Sequence, residues 1–241
     1  MTKRKFAVFD IDGTLIRWQL FHAIVHALGK QGYIPQATHD KIHNARMTWK
    51  NRESEQGFRV YEDILVEAYL QVLTGIDPTD YLHIVDEVFH EYKDQTYAYT
   101  RDLVRSLKQQ GYLLFAVSGS QSEVIDRLAR YHGFDGAIGA EFVQRDGAFT
   151  GEIVTPIHDK KSALERLVKQ FDATYESSYA VGDSPSDAAM LELVENPIAF
   201  NPDRGLFEIA KKNSWPIVIE RKNVIYQLNP TSDGYSLKDK S

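Results

Sequence analysis

Phe6-Ala7-Val8-Phe9-Asp10-Ile11-Asp12-Gly13-Thr14 begins as an unbroken apolar run and ends in two carboxylates, a glycine and a threonine. An apolar run without polar alternation predicts a strand buried on both faces, the kind found in parallel sheets. Two further runs share its ending. Leu113-Leu114-Phe115-Ala116-Val117 leads into Ser118-Gly119-Ser120, and Tyr179-Ala180-Val181 leads into Gly182-Asp183-Ser184. Pro197–Phe200 and Pro216–Ile219 read as a fourth and a fifth strand.

Helical stripes lie between these strands. Leu103, Val104 and Leu107 mark one helix that stops at Gly111; Val124, Ile125, Leu128 and Ala129 mark the next, stopping near Gly133; Leu164, Leu167, Val168 and Phe171 mark a third. Strands alternating with helices imply right-handed crossovers and a parallel sheet with helices on its faces. Ligands of such sheets bind beyond the carboxyl ends of the strands, where Asp10, Ser118 and Asp183 would converge. Residues 16–96 show no strand, only helical stripes such as Leu20/Ile24/Leu28 and Tyr61/Leu65/Ala68/Val72, and a helix start at Asp77-Pro78. The expectation is therefore α/β: a Rossmann-like parallel sheet flanked by helices (1–15 and 97–241) with an inserted all-helical cap domain (16–96). Arg145-Asp146-Gly147 predicts a β-hairpin within 136–154, and the polar tail after Asn229 reads as loose.

The chain has 241 residues, 43% hydrophobic and 26% charged, the balance of a globular protein. Its 28 basic residues against 34 acidic ones, net −6, argue against a nucleic-acid partner. It has no cysteine, which excludes disulfides, thiolate zinc sites and a cysteine nucleophile. No run approaches the roughly 18 apolar residues of a membrane span, and the start carries no apolar stretch of signal-peptide length. The expected location is the cytoplasm, with no membrane partner; the sequence carries no sign of oligomeric state.

Alternation at a strand end points Asp10 and Asp12 the same way. Two carboxylates that close repel unless a cation or a shared proton reconciles them. Asp183, from another strand end, completes a set of three carboxylates that suits Mg²⁺ shared with substrate phosphate oxygens. Ser118, with the Gly119 and Ser120 N–H groups at the start of a helix, forms an anion site. Lys160 or Lys161 would add a positive charge.

Asp10-Ile11-Asp12-Gly13-Thr14-Leu15, Ser118, a lysine and Gly182-Asp183-Ser184-Pro185-Ser186-Asp187, in that order, resemble the four motifs of the haloacid dehalogenase (HAD) superfamily. The helical insert after the first motif and the Gly-Asp-Ser-x-x-Asp-x-x-Met form ending at Met190 resemble its phosphoserine-phosphatase-like branch. The resemblance implies a Mg²⁺-dependent phosphatase acting on a small phosphorylated metabolite through an aspartyl-phosphate. It implies Asp10 as nucleophile and Asp12 as general acid/base, with Thr14 in support. Asp10, the Asp12 backbone carbonyl and Asp183 would hold Mg²⁺. Ser118, Gly119 and a lysine would bind the phosphoryl group, with Asp187 supporting that lysine or metal-bound water. Lys160 stands four residues before Leu164, the interval at which the family's lysine commonly precedes its helix's first core leucine, so the resemblance favours Lys160 over Lys161.

Two departures bear on the substrate. Gln19 stands where phosphoserine phosphatases place a cap glutamate for the serine ammonium, and Glu67 and Ala68 lie where their carboxylate-binding arginine would be sought. Phosphoserine is thus expected to be a poor substrate. His22/His26 and His39/His43 have the spacing of helical zinc ligands, but lack the glutamate of that motif and are read as cap packing; Trp18 is read as hinge packing. A dehalogenase would need neither Asp12 nor Mg²⁺. A phosphosugar mutase would need a second phosphate site in its cap, and a phospho-acceptor signalling module would need no cap.

Overall fold

A computed structural model describes residues 3–54 and 56–238. In chain order the elements are β1 (Arg4–Phe9), α1 (Leu20–Lys30), α2 (Gln36–Lys50), α3 (Gly57–Leu73), α4 (Pro78–Tyr92), α5 (Ala98–Gln109), β2 (Leu113–Gln121), α6 (Ser122–His132), β3 (Gly136–Arg145), β4 (Ala148–Val154), α7 (Lys160–Gln170), β5 (Ala173–Gly182), α8 (Ala188–Leu191), β6 (Asn196–Phe200), α9 (Arg204–Asn213), β7 (Ile217–Arg221), β8 (Val224–Thr231) and β9 (Gly234–Leu237).

The strands expected from their apolar runs form the sheet's centre. Phe6, Ala7, Val8 and Phe9 are completely buried, because β1 has a parallel neighbour on each side, β2 and β5. The parallel strands lie in the order β3-β2-β1-β5-β6-β7. Counted among themselves this is 3-2-1-4-5-6, the doubly wound order, whose direction reverses between β1 and β5. Phe6, Val8, Phe115, Leu164, Leu167, Met190, Leu206 and Ile217 belong to one buried cluster uniting sheet and helices. Helix ends follow local rules: α6 stops at Gly133 in the left-handed conformation (φ 76°), and Asp159 caps α7 by accepting a bond from the Ser162 N–H.

Three expectations are corrected. The sheet is mixed rather than wholly parallel, because β4, β8 and β9 pair antiparallel at its two ends. The stretch after Asn229 is not loose through Leu237. Pro230 pairs with Tyr235 and Leu228 with Leu237, and the Tyr235 hydroxyl donates to the Trp215 carbonyl at 2.9 Å. The polar composition of that stretch reflects half-exposed edge strands, and Asp239–Ser241 lie outside the described residues. Finally, the inserted unit is not all-helical.

By packing, the chain divides into Met1–Gln19 with Glu91–Ala140 and Thr155–Ser241, and Leu20–His90 with Glu141–Val154. The hairpin falls in the helical unit because its aromatic side chains pack there: Phe142 lies edge-on to Tyr69 at 5.0 Å and Phe149 edge-on to Tyr81 at 5.1 Å. The Tyr69 and Tyr81 hydroxyls join at 3.1 Å. In the same unit His22 is buried against Tyr61 and Phe58, with ring centres at 5.1 and 6.0 Å. His26 Nε2 pairs with the Tyr61 hydroxyl at 3.0 Å. Among the described residues no helix is long and apolar enough to cross a membrane.

Candidate active site

Asp10 follows the last residue of β1, and its N–H bonds the Val181 carbonyl of β5 at 2.9 Å. That bond draws together the carboxyl ends of the two strands flanking the reversal of order, where a doubly wound sheet opens a crevice. The chain then turns sharply: Leu15 and Ile16 N–H groups return to the Ile11 carbonyl, and Gly13 N–H to that of Ile16. Gly13 has φ +81°, and a Cβ there would stand 2.1 Å from Asp183 Oδ2. Glycine is required at this position both for the conformation and for the approach of the carboxylate.

Lys160, the first residue of α7, is 3% exposed. Its Nζ donates to Asp10 Oδ1 and to Asp187 Oδ1, both at 2.6 Å. Lys161, one residue on, is exposed. Asp187 is completely buried, and its second oxygen accepts from the N–H groups of Asp183 and Ser184, each at 3.0 Å, and from the Ser184 hydroxyl at 3.1 Å. Gly182 permits this arrangement, since a Cβ there would lie 2.4 Å from Asp187 Cβ.

On the other side of Asp10, Ser118 lies within β2 rather than at a helix start, since α6 begins only at Ser122; it is completely buried and donates to Asp12 Oδ2 at 2.6 Å. The Ser120 N–H returns to Ser118 Oγ at 2.9 Å. Gly119 lies beneath Ile157, whose Cδ1 would stand 2.9 Å from an added Cβ. Thr14, also buried, directs its hydroxyl toward Asp183 Oδ1 at 3.5 Å, while its carbonyl accepts from Thr100. Asp10, Thr14, Lys160, Asp183 and Asp187 are thus joined by hydrogen bonds, Asp12 and Ser118 form a bonded pair in the same unit, and Gly119 meets Ile157 instead.

The carboxylates of the cluster could hold a metal ion. Asp10, Asp183 and Asp187 each offer a carboxylate oxygen, all within 4.8 Å of one another. Burial pushes Asp10 up to about 8; Lys160 opposes that rise, and Asp187 and Asp12 add to it. Burial, then Asp10 and Asp187, push Asp183 up to about 9. Burial works against the Lys160 charge, but Asp10 and Asp187 more than offset it and the ammonium is held above its ordinary value. Four accepted hydrogen bonds use most of the lone-pair capacity of Asp187. Asp10 Oδ2 and the Asp183 carboxylate are less engaged, which fits them as ligands of a hard divalent cation such as Mg²⁺ and fits Asp187 as the group that holds Lys160. Gly13 and Gly182, on which the carboxylates of Asp183 and Asp187 close, are not among the site residues expected from the sequence. Their positions immediately beside Asp12 and Asp183 were the available signal.

Residues 7–192 match the haloacid dehalogenase-like hydrolase family. A phosphoserine phosphatase of Archaeoglobus fulgidus is 29% identical over 211 residues, which cover 86% of this chain and 56% of that protein; the chain thus spans little more than half of that relative's length. A histidinol-phosphatase of Neisseria meningitidis serogroup C is 25% identical over 229 residues, 89% of this chain and 98% of that one. Among solved structures, a Bordetella pertussis Tohama I protein of unknown function superposes with a TM-score of 0.71 at 25% identity, covering 91% of this chain and 99% of its own.

Proposed function

The chain belongs to the haloacid dehalogenase-like hydrolases, in their phosphoserine-phosphatase-like branch, and from that premise we propose that it is a Mg²⁺-dependent phosphatase of a small phosphorylated metabolite, working through an aspartyl-phosphate. The observation that carries this reading is Lys160, buried and shared at 2.6 Å between Asp10 and Asp187, beside the carboxylate of Asp183.

Asp10, Asp183 and the Asp12 backbone carbonyl would hold Mg²⁺, which supplies charge neutralisation for the phosphoryl oxygens. A phosphomonoester dianion is repelled by a carboxylate nucleophile, and the Lys160 ammonium reduces that repulsion. Lys160 also fixes one oxygen of Asp10, so the other is presented in a constant direction. In the first step an Asp10 oxygen forms a bond to phosphorus as the ester oxygen leaves, and Asp12 gives that oxygen its proton. In the second, water attacks phosphorus, the Asp10–phosphorus bond breaks, and Asp12 takes the water's proton. In the ligand-free chain Ser118 gives its one hydroxyl proton to Asp12 Oδ2, and with substrate bound it would turn that proton to a phosphoryl oxygen.

Hydrolysis of p-nitrophenyl phosphate, and of a panel of metabolite phosphomonoesters, is expected with Mg²⁺ and not in excess EDTA. Undiminished turnover in EDTA would overturn the reading.

A further inference from the structure

Gln121 ends β2 and sits at the position preceding α6, directly after Ser118-Gly119-Ser120. Its side chain is completely buried, and among the described residues neither the amide oxygen nor the amide nitrogen has a hydrogen-bond partner. Capping does not explain it, because the Gln121 side chain makes no bond to the α6 N–H groups. A buried primary amide with both ends unused is disfavoured in a finished core, where an apolar side chain of the same shape costs less.

The backbone around it is irregular as well. Val117 pairs with Ile138 and Gln121 with Ala140, so four steps along β2 (117 to 121) are matched by two along β3 (138 to 140). The surplus is the Ser118–Ser120 segment, which bulges out of the ladder and carries the Ser118 hydroxyl to Asp12. Gly139 allows the strands to close again, since a Cβ there would lie 2.7 Å from Ser122 Cα and 2.9 Å from the Ser120 carbonyl. Bulges beside active sites re-aim side chains, and polar groups left unpaired in them store free energy that a ligand can release.

We propose that Gln121 is a positioning residue for phosphoryl binding: its amide is unpaired in the ligand-free bulge and gains its hydrogen bonds when an oxyanion occupies the Ser118–Ser120 bulge. This rests on the assignment of that bulge to the phosphoryl group. A ligand shifts such an equilibrium only by what it gains in one arrangement over the other, so the unspent amide adds to phosphate affinity. An apolar side chain at 121 relieves the ligand-free protein and withdraws the gain on binding.

The test compares wild type with Gln121→Met, which keeps length and removes both polar ends. The unfolding midpoint of the metal-free Gln121→Met protein is expected to rise by about 2–8 °C. In Mg²⁺ its dissociation constant for inorganic phosphate, and its KM for p-nitrophenyl phosphate, are expected to rise about tenfold, with a smaller change in kcat. A lower midpoint with unchanged phosphate affinity assigns Gln121 to packing and overturns the proposal, as does a variant that matches wild type in both. Wild-type protein labelled with ¹⁵N-glutamine supplies a readout free of any folding defect in the variant. The buried side-chain amide signal should move downfield and exchange more slowly on adding Mg²⁺ and phosphate, and its indifference to phosphate counts against the proposal. Wild type that binds phosphate yet hydrolyses no ester would overturn the phosphatase reading alone.

Discussion

Asp10 and Asp183 set the pH response of the metal-free site. Both are held protonated far above the ordinary carboxylate range, to about 8 and about 9, chiefly by burial. The folded chain therefore binds protons that the unfolded chain has released, and the stability these groups contribute is full below the unfolded value of 3.8 and lost as pH rises through 8 and 9. Urea unfolding in EDTA should show declining stability from pH 5 to 8, and Asp10→Asn, which has no proton to lose, should reduce that slope; an unchanged slope would contradict the assignment. Gly13 permits a second prediction at this scale. Alanine there brings a Cβ to 2.1 Å from Asp183 Oδ2 at a φ of +81°, so either the carboxylate or the turn must move. A displacement of that size at a reacting centre can cost about a hundredfold in rate, and a Gly13→Ala enzyme with near wild-type kcat/KM would show that the Asp183 position is not critical. Gln19 carries the selectivity expectation. An amide cannot offer an ammonium the charge-assisted bonds of a carboxylate, which contribute about 1.5–3 kcal/mol each. Phosphoserine is expected to rank below uncharged phosphomonoesters, with Gln19→Glu shifting kcat/KM ratios toward amine-bearing substrates by about tenfold or more. First rank for phosphoserine in the wild-type panel contradicts this.

Helix α7 acts as a lever, with Lys160 at one end and Leu164, Leu167 and Val168 packed in the main core. Truncating the fully buried Leu164 to alanine should destabilise the protein by about 2–5 kcal/mol in urea. It should also lower kcat, because the anchor of Lys160 loosens; a stability loss with unaltered kcat would show that Asp10 and Asp187 alone hold the ammonium. The same helix shows why much of the fold was legible. Its leucine stripe, the buried runs of β1, β2 and β5, and the carboxylates that end two of them are local patterns, and chain order in a parallel sheet brings strand ends together. Lys160 could be preferred to Lys161 because the family resemblance places the lysine four residues before the first core leucine, Leu164. Elements held by distant partners were illegible. Helix α2 buries only Ile42 and so shows almost no stripe. The Thr231–Gly234 turn joins half-exposed strands whose polar faces resemble a tail. The membership of Glu141–Val154 depends on Phe142 meeting Tyr69 and Phe149 meeting Tyr81, contacts that no spacing announces. Gln121 was illegible for a different reason, since its burial without partners is a property of the bulge around it.

At the scale of the whole molecule, the two units carry opposite pH sensitivities. In the unit of Leu20–His90 and Glu141–Val154, burial lowers His22 and His26 to about 4, with the neighbouring charge of Arg46 adding to the shift of each. The unfolded chain takes up those protons first, so their contribution to stability is full above the unfolded value of 6.5 and lost as pH falls through 4. In the other unit, Asp10 and Asp183 reverse the sign, and Mg²⁺ held as proposed would displace the protons they carry, so its affinity should rise with pH up to about 9. The tryptophans allow the two responses to be read separately. Trp49 stacks on Tyr61 at 5.6 Å beside the histidines, whereas Trp215 is buried in the cluster beneath the sheet. In EDTA, a variant retaining only Trp49 should lose stability from pH 6.5 toward 4, and one retaining only Trp215 should lose it from pH 5 toward 9. Added Mg²⁺ should restore the alkaline limb of the Trp215 signal and leave the acid limb of the Trp49 signal where it was. If His22→Phe leaves the Trp49 acid limb unchanged, the histidine assignment is wrong; if Mg²⁺ moves the Trp215 midpoint equally at pH 5 and pH 8, proton and metal do not compete for the same carboxylates.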